Sequence, residues 1–177
     1  MDVEGRRVTK WPLDRCGVTG NVFRKPFTDG GTAMPTRTAS AIWEGGLKTG
    51  NGKFEGESGA MAGPYTFGSR FEQARGSNPE ELLAAAHAAC YSMALSGELE
   101  RSGKPPTRIE TQARCTIERG SAGFRVTIMH LTVQAAVPGI EESAFLEAAE
   151  KAKLGCPISA ALKGNVDVQL EAKLSTT

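Results

Sequence analysis

The chain has 177 residues and a mass of 18.7 kDa, which suits one domain with a core of its own. Its 21 Lys and Arg nearly balance 20 Asp and Glu, so the formal net charge is +1 and no basic footprint for nucleic acid or anionic lipid is evident. The hydrophobic fraction of 40% argues against disorder of the whole chain, and no apolar run approaches a membrane span.

Residues 1–36 carry no sustained periodicity and are read as an N-terminal extension whose order is left open. Trp11, Phe23 and Phe27 are its candidates for packing, and Cys16 within it reads as incidental. The sequence begins Met1-Asp2-Val3-Glu4-Gly5 and leads into no long apolar stretch, so no Sec-type signal is expected and the expected location is the cytoplasm. Fourteen of the 21 glycines fall in residues 1–76, which predicts a turn-rich first part and longer elements later.

Residues 37–177 form the predicted domain. Ile42-Trp43-Glu44 reads as a strand running into Gly45-Gly46, and Gly50-Asn51-Gly52 turns the chain toward Phe54. A further strand is predicted over Tyr65–Phe71, with Tyr65, Phe67 and Phe71 on one face and Arg70 on the other. Then the period changes. Asn78 can cap a helix, Pro79 fits its first position, and Glu81 completes a capping box. This helix should run to about Arg101, with a stripe of Leu82, Leu83, Ala86, Ala89, Cys90, Met93 and Ala94. Its run of small residues predicts burial on most sides.

Residues 107–118 alternate, with Ile109, Thr111, Ala113, Cys115 and Ile117 facing inward. Gly120 to Gly123 makes a hairpin, and a parity slip in the next strand predicts a bulge near Met129-His130. A second helix covers about 141–153, with Phe145, Ala148, Ala149 and Ala152 on its core face and Gly155 ending it in the left-handed conformation. Cys156-Pro157 opens a short third helix, and a last strand alternates from Val166 to Leu174. The resulting class is α+β, mostly antiparallel.

The cysteines at 16, 90, 115 and 156 are widely spaced, with no CxxC pair. Cys115 reads as a strand-core residue, and Cys90 alone reads as a small hydrophobe in a buried helix. Cys156 stands at a helix N-cap, where free N–H groups lower a thiol pKa, so helix position alone makes it the more reactive. Arg70 and Glu80 are ten residues apart across a turn into the long helix, so the carboxylate can fix the guanidinium and aim it at a thiol. His87 and Cys90, at i and i+3, could form a zinc set with Cys156 or His130, although tight ligand pairs are lacking.

The segment Asn78-Pro-Glu-Glu-Leu-Leu-Ala-Ala-Ala-His-Ala-Ala-Cys-Tyr-Ser-Met-Ala-Leu95 resembles the signature of the osmotically inducible protein C family, which includes the organic hydroperoxide reductases. Ala152-Lys-Leu-Gly-Cys-Pro-Ile-Ser-Ala-Ala-Leu-Lys163 resembles that family's second cysteine segment. Residues 41–50, 69–72 and 136–140 match as well, so the resemblance spans about 37–174, and the wording around Cys90 is closer to the osmotically inducible branch.

The resemblance implies an intertwined homodimer, with mostly antiparallel strands wrapped around central helices and active sites at the subunit interface. It implies a thiol peroxidase in which Cys90 is peroxidatic, Cys156 resolving, Arg70 the catalytic arginine and Glu80 its holder. That order reverses the one taken from helix position. No bound cofactor or metal is implied. An external dithiol, often a lipoyl group in the family, is the implied reductant, and an apolar pocket from the Phe/Tyr strand and Met93 would favour organic peroxides. Two further classes stay open: an idle dimeric scaffold binding an apolar small molecule in the same cleft, and a metal protein.

Overall fold

The computed structural model describes residues 34 and 36–175, so the readings placed on residues 1–33, Cys16 among them, lie outside the described residues. The described elements all belong to the unit Thr38–Thr177. Strands β1 (Ala39–Glu44), β2 (Asn51–Gly56) and β3 (Ala62–Thr66) form an antiparallel meander. Gly45, at φ +91°, makes the first turn. Strands β4 (Arg108–Gly120), β5 (Gly123–Ala136) and β6 (Asp167–Leu174) form a second sheet. β4 and β5 are an antiparallel hairpin, whereas β5 and β6 run parallel. A parallel return needs a long crossover, and helices α3 (Glu142–Gly155) and α4 (Pro157–Leu162) supply it. The α+β class with mainly antiparallel pairing is as expected.

The long helix α2 (Pro79–Arg101) lies over the second sheet and against α3. Tyr91, Leu95 and Leu99 recur every four residues along one face of α2 and are closed to solvent. They pack with Leu131, Val133 and Ala135 of β5 and with Phe145, Ala149 and Ala152 of α3. Tyr91 donates its hydroxyl to the Ala149 carbonyl at 3.1 Å and so ties α2 to α3. Removing that hydroxyl in Tyr91→Phe is expected to cost about 1 kcal/mol in urea unfolding with little change in slope.

Several local expectations need correction. The chain leaves the sheet at Thr66, and Phe67–Phe71 is a one-turn helix, α1, not the end of a strand. Thr66 and Ser69 cap it reciprocally: Ser69 N–H donates to Thr66 Oγ1 at 3.0 Å, and Thr66 N–H to Ser69 Oγ at 2.9 Å. At the start of α2, Asn78 Oδ1 accepts from Glu81 N–H at 2.8 Å as expected. The Glu81 carboxylate does not complete the box; it accepts from Ser77 Oγ at 2.7 Å. The β5 bulge lies at Thr127, between the Thr116–Ile128 and Ile117–Val126 pairs, slightly earlier than the predicted Met129-His130. Gly155 ends α3 without a positive φ, because the chain passes directly into extended Cys156.

The largest correction concerns the faces of α2. Ala86, Ala89 and Met93, placed on the buried stripe, are exposed in the single chain, Met93 to 77%. The buried side is the one carrying His87, Tyr91, Leu95 and Leu99. Small residues surround this helix, so periodicity gave little contrast; the bulky side chains decide which face meets the sheet.

Candidate active site

The two cysteine segments meet. Cys90, in the middle of α2, and Cys156, at the N-cap of α4, face each other with their sulfurs 3.3 Å apart. The Cys156 thiol donates toward the Cys90 sulfur. Their exposure differs: Cys156 has none, whereas Cys90 is half-buried. Pro157 at the first position of α4 gives up no hydrogen bond, and the next N–H, from Ile158, reaches the Cys90 sulfur. The free N–H group that made Cys156 look activated is therefore spent on Cys90.

Burial pushes the Cys90 thiol above its ordinary value, the Ile158 N–H draws it down, and the neighbouring Cys156 raises it again. The balance within one chain is upward. A thiol that must act as a thiolate at neutral pH then needs a further positive charge.

Arg70 and Glu80 form the expected pair. Arg70 Nη2 donates to Glu80 Oε1 at 2.7 Å, and Nε lies 3.2 Å from both carboxylate oxygens. The connection holding them is ordered by short contacts. Ser69 Oγ donates to the Ser77 carbonyl at 2.8 Å, and Asn78 Nδ2 donates to the Ser69 carbonyl at 3.1 Å. This clamp fixes α1 across the start of α2, with Arg70 over the buried Glu80. Beside it, Phe71 packs on Phe67 and Phe124 with ring centroids 5.0 and 4.8 Å away, and the Arg70 guanidinium lies 5.0 Å from the Phe71 ring.

The structure does not bring Arg70 to the Cys90 of the same chain. Glu80 and Cys90 are ten residues apart on α2, which is about 15 Å along a helix axis. The guanidinium held on Glu80 at the beginning of the helix is thus out of reach of the thiol in its middle.

The remaining candidates have other partners. Cys115 is half-buried on β4, and burial followed by the Glu80 charge pushes its thiol up. His130 lies 2.6 Å from Arg114 on the second sheet, through Nδ1. His87 is buried and paired through Nε2 with Ser159 Oγ at 2.8 Å. Among the described residues no three His, Cys, Asp or Glu side chains gather as a metal site. Sequence reasoning missed Ser159 and the Ile158 N–H. Both lie within three residues of Cys156 in sequence, but only packing of α4 on α2 shows what they face.

Two facing thiols of unequal exposure are carried by helices over an α+β sheet. Residues 72–171 match the family described as OsmC-like protein, and the chain belongs to that family. It is 45% identical over 138 residues to "Peroxiredoxin OsmC" of Escherichia coli, covering 77% of this chain and 96% of that protein. It is 32% identical over 96 residues to "Organic hydroperoxide resistance protein" of Xanthomonas axonopodis, covering 54% of this chain and 66% of that one. The crystal structure of the organic hydroperoxide resistance protein OhrB of Bacillus subtilis superimposes with a TM-score of 0.61 at 26% identity, over 77% of this chain and 98% of that chain. The stronger match to the peroxiredoxin agrees with the branch expected from the wording around Cys90.

Proposed function

We propose that this protein is a two-cysteine peroxidase that reduces organic hydroperoxides to alcohols. The observation that carries the reading is the sulfur pair at 3.3 Å, with one thiol reachable and the other closed. A peroxidatic thiol must meet its substrate, whereas a resolving thiol need only meet the first. Cys90 therefore takes the peroxidatic role and Cys156 the resolving one. An idle binding scaffold gives no account of this pairing.

The Cys90 thiolate attacks the distal oxygen of ROOH. An S–O bond forms, the O–O bond breaks, and the alkoxide takes a proton and leaves as the alcohol. The resulting sulfenic acid is attacked by Cys156 sulfur; its hydroxyl leaves with the thiol proton as water, and a disulfide closes. An external dithiol then exchanges with the disulfide and restores both thiols. A lipoyl group has the right chemistry, because its own closed disulfide is the product. The cycle uses protein thiols throughout, with no resident metal or cofactor assigned a step.

Arg70 completes the site from a second copy of the chain. Three features support an interlocked dimer. The guanidinium cannot reach its own Cys90. No residue of β1, β2 or β3 enters the core, while Ile42 and Met61 in and beside those strands are 40% and 43% exposed. Finally, α2 leaves open Ala86 and Ala89, small residues that suit close helix contact, and the large apolar Met93. Arg70 of the partner subunit would supply the charge that Cys90 lacks and stabilise the oxygens in the transition state. The aromatic group of Phe67, Phe71 and Phe124 would arrive with it and favour an organic substituent over a bare hydrogen peroxide. Among the described residues no helix is long and apolar enough to cross a membrane, and the proposed location is the cytoplasm.

Cys156→Ser tests the division of labour. It should consume one equivalent of hydroperoxide with a first-turnover rate within about threefold of the unaltered chain and then stall as a sulfenic acid. Rapid quench with a sulfenic-acid trap measures both steps. Sustained full-rate turnover of this variant on a dithiol would contradict the resolving role.

A further inference from the structure

His87 is an ionisable side chain in the core with no part in the thiol chemistry above. It has no exposed surface, and its Nδ1 is buried without a hydrogen-bond partner. A leucine or methionine could fill such a space without leaving a polar atom unmet. Its other nitrogen, Nε2, makes the 2.8 Å contact to Ser159 Oγ. Burial lowers its pKa and so favours the neutral ring.

The placement of this pair is specific. His87 precedes Cys90 by three residues on α2, and Ser159 follows Cys156 by three on α4. Residues three apart share a helix face. Beside the Ile158 N–H on the Cys90 sulfur, two side-chain contacts one turn apart thus tie α4 to α2: sulfur on sulfur, and imidazole on hydroxyl. The second matters because α4 is short, six residues, and its N-cap makes no side-chain hydrogen bond. A directional bond to Ser159 fixes the rotation of α4 about its axis and with it the direction of Cys156.

We propose that His87 and Ser159 are positioning residues for disulfide closure, their hydrogen bond latching α4 onto α2 so that Cys156 is held on the Cys90 sulfur. The proposal rests on the two-cysteine reading and names the device that serves its second step. Closure takes the sulfurs from 3.3 Å to a bond of about 2.05 Å. The S–OH bond of oxidised Cys90 breaks, the S–S bond forms, and the Cys156 proton leaves with the hydroxyl as water. A latched α4 makes that approach from a fixed pivot.

The test is a redox titration of the full chain against dithiothreitol, comparing the unaltered protein with Ser159→Ala, His87→Leu and His87→Gln. Ser159→Ala removes one oxygen and carries the least risk to folding. In Ser159→Ala and His87→Leu the Cys90–Cys156 disulfide should become about tenfold easier to reduce, which is about 30 mV. His87→Gln, which retains a polar group at similar reach, should stay within about threefold of the unaltered protein. After one equivalent of cumene hydroperoxide, disulfide closure should slow about tenfold in the first two variants, with Cys90 oxidation unchanged. Unchanged equilibria and closure rates in both variants would overturn the latch. So would equal slowing of both steps, the mark of general loosening, or a Gln variant as impaired as the Leu one. The titration needs no peroxide. A chain inert to hydroperoxide would therefore defeat the peroxidase reading while the potentials still report on the latch.

Discussion

Cys90→Ser should lower hydroperoxide reduction by on the order of 10⁴-fold or more, to the background of uncatalysed reaction. A hydroxyl in place of the half-buried thiol cannot take up the peroxide oxygen, as the thiolate does in becoming a sulfenic acid. The substitution is nearly isosteric, so the 3.3 Å approach to Cys156 and the packing of α4 should survive. Thermal unfolding should then shift little while turnover disappears, and following peroxide consumption beside a melting curve separates the two effects. The closed Cys156 cannot stand in, since it has no exposed surface. Turnover in Cys90→Ser at the unaltered rate would assign the chemistry elsewhere.

Arg70→Ala should cost about 10²-fold in the second-order rate with organic hydroperoxide, comparable to removal of one donor from a preorganised anion site. Burial holds the Cys90 thiol above its ordinary value, and the Ile158 N–H offsets only part of this. Removing the cation proposed to supply the rest should move the thiol pKa upward, so the pH profile of the rate should move to higher pH. At a pH well below the pKa, the thiolate fraction falls about tenfold for every tenfold weakening of the thiol as an acid. Glu80→Gln keeps the guanidinium but loses the carboxylate that grips it through both Nε and Nη2, so its loss should be smaller, about tenfold. The same variants test where Arg70 acts. A mixture of Cys90→Ser and Arg70→Ala chains, exchanged to form mixed dimers, should regain about a quarter of the unaltered activity, because half the dimers are mixed and each holds one complete site. Arg70 acting within its own chain would leave the mixture inactive.

Much of the fold was readable because local signals agreed. Asn78 and Pro79 at one end of α2, and Gly103 with two prolines beyond the other, bracket it to within a residue or so. The alternation of β4 is clean because one face lies against α2 and the other meets solvent. Helix α1 was missed because Tyr65, Phe67 and Phe71 have strand parity as well as helical spacing. The signal that could have found it is Thr66 and Ser69, three residues apart and able to cap each other. The buried face of α2 was misjudged because alanines on every side carry little information, and β5 and α3 choose it through Tyr91, Leu95 and Leu99.

At the site, the two cysteine segments are recognisable from their wording, but the order proposed for them, Cys90 before Cys156, has no support in local pattern. Helix position alone favoured Cys156. The N–H that matters belongs to Ile158 and points across to α2, a tertiary fact that no local pattern encodes. His87 likewise suggested a metal ligand by its spacing to Cys90, and packing gives it Ser159 instead. Arg70 and Glu80 were paired correctly, yet the length of α2 between Glu80 and Cys90 keeps that pair from the thiol of its own chain.

The central claim is that Cys90 and Cys156 act as one redox unit. The most direct test is to count free thiols before and after one equivalent of an organic hydroperoxide, then map the linked peptides. Of the four cysteines in the chain, two should be lost rapidly, with Cys90 joined to Cys156 and with Cys16 and Cys115 still free. Unchanged thiols in the folded protein, or a disulfide through Cys115 in place of this pair, would contradict the account.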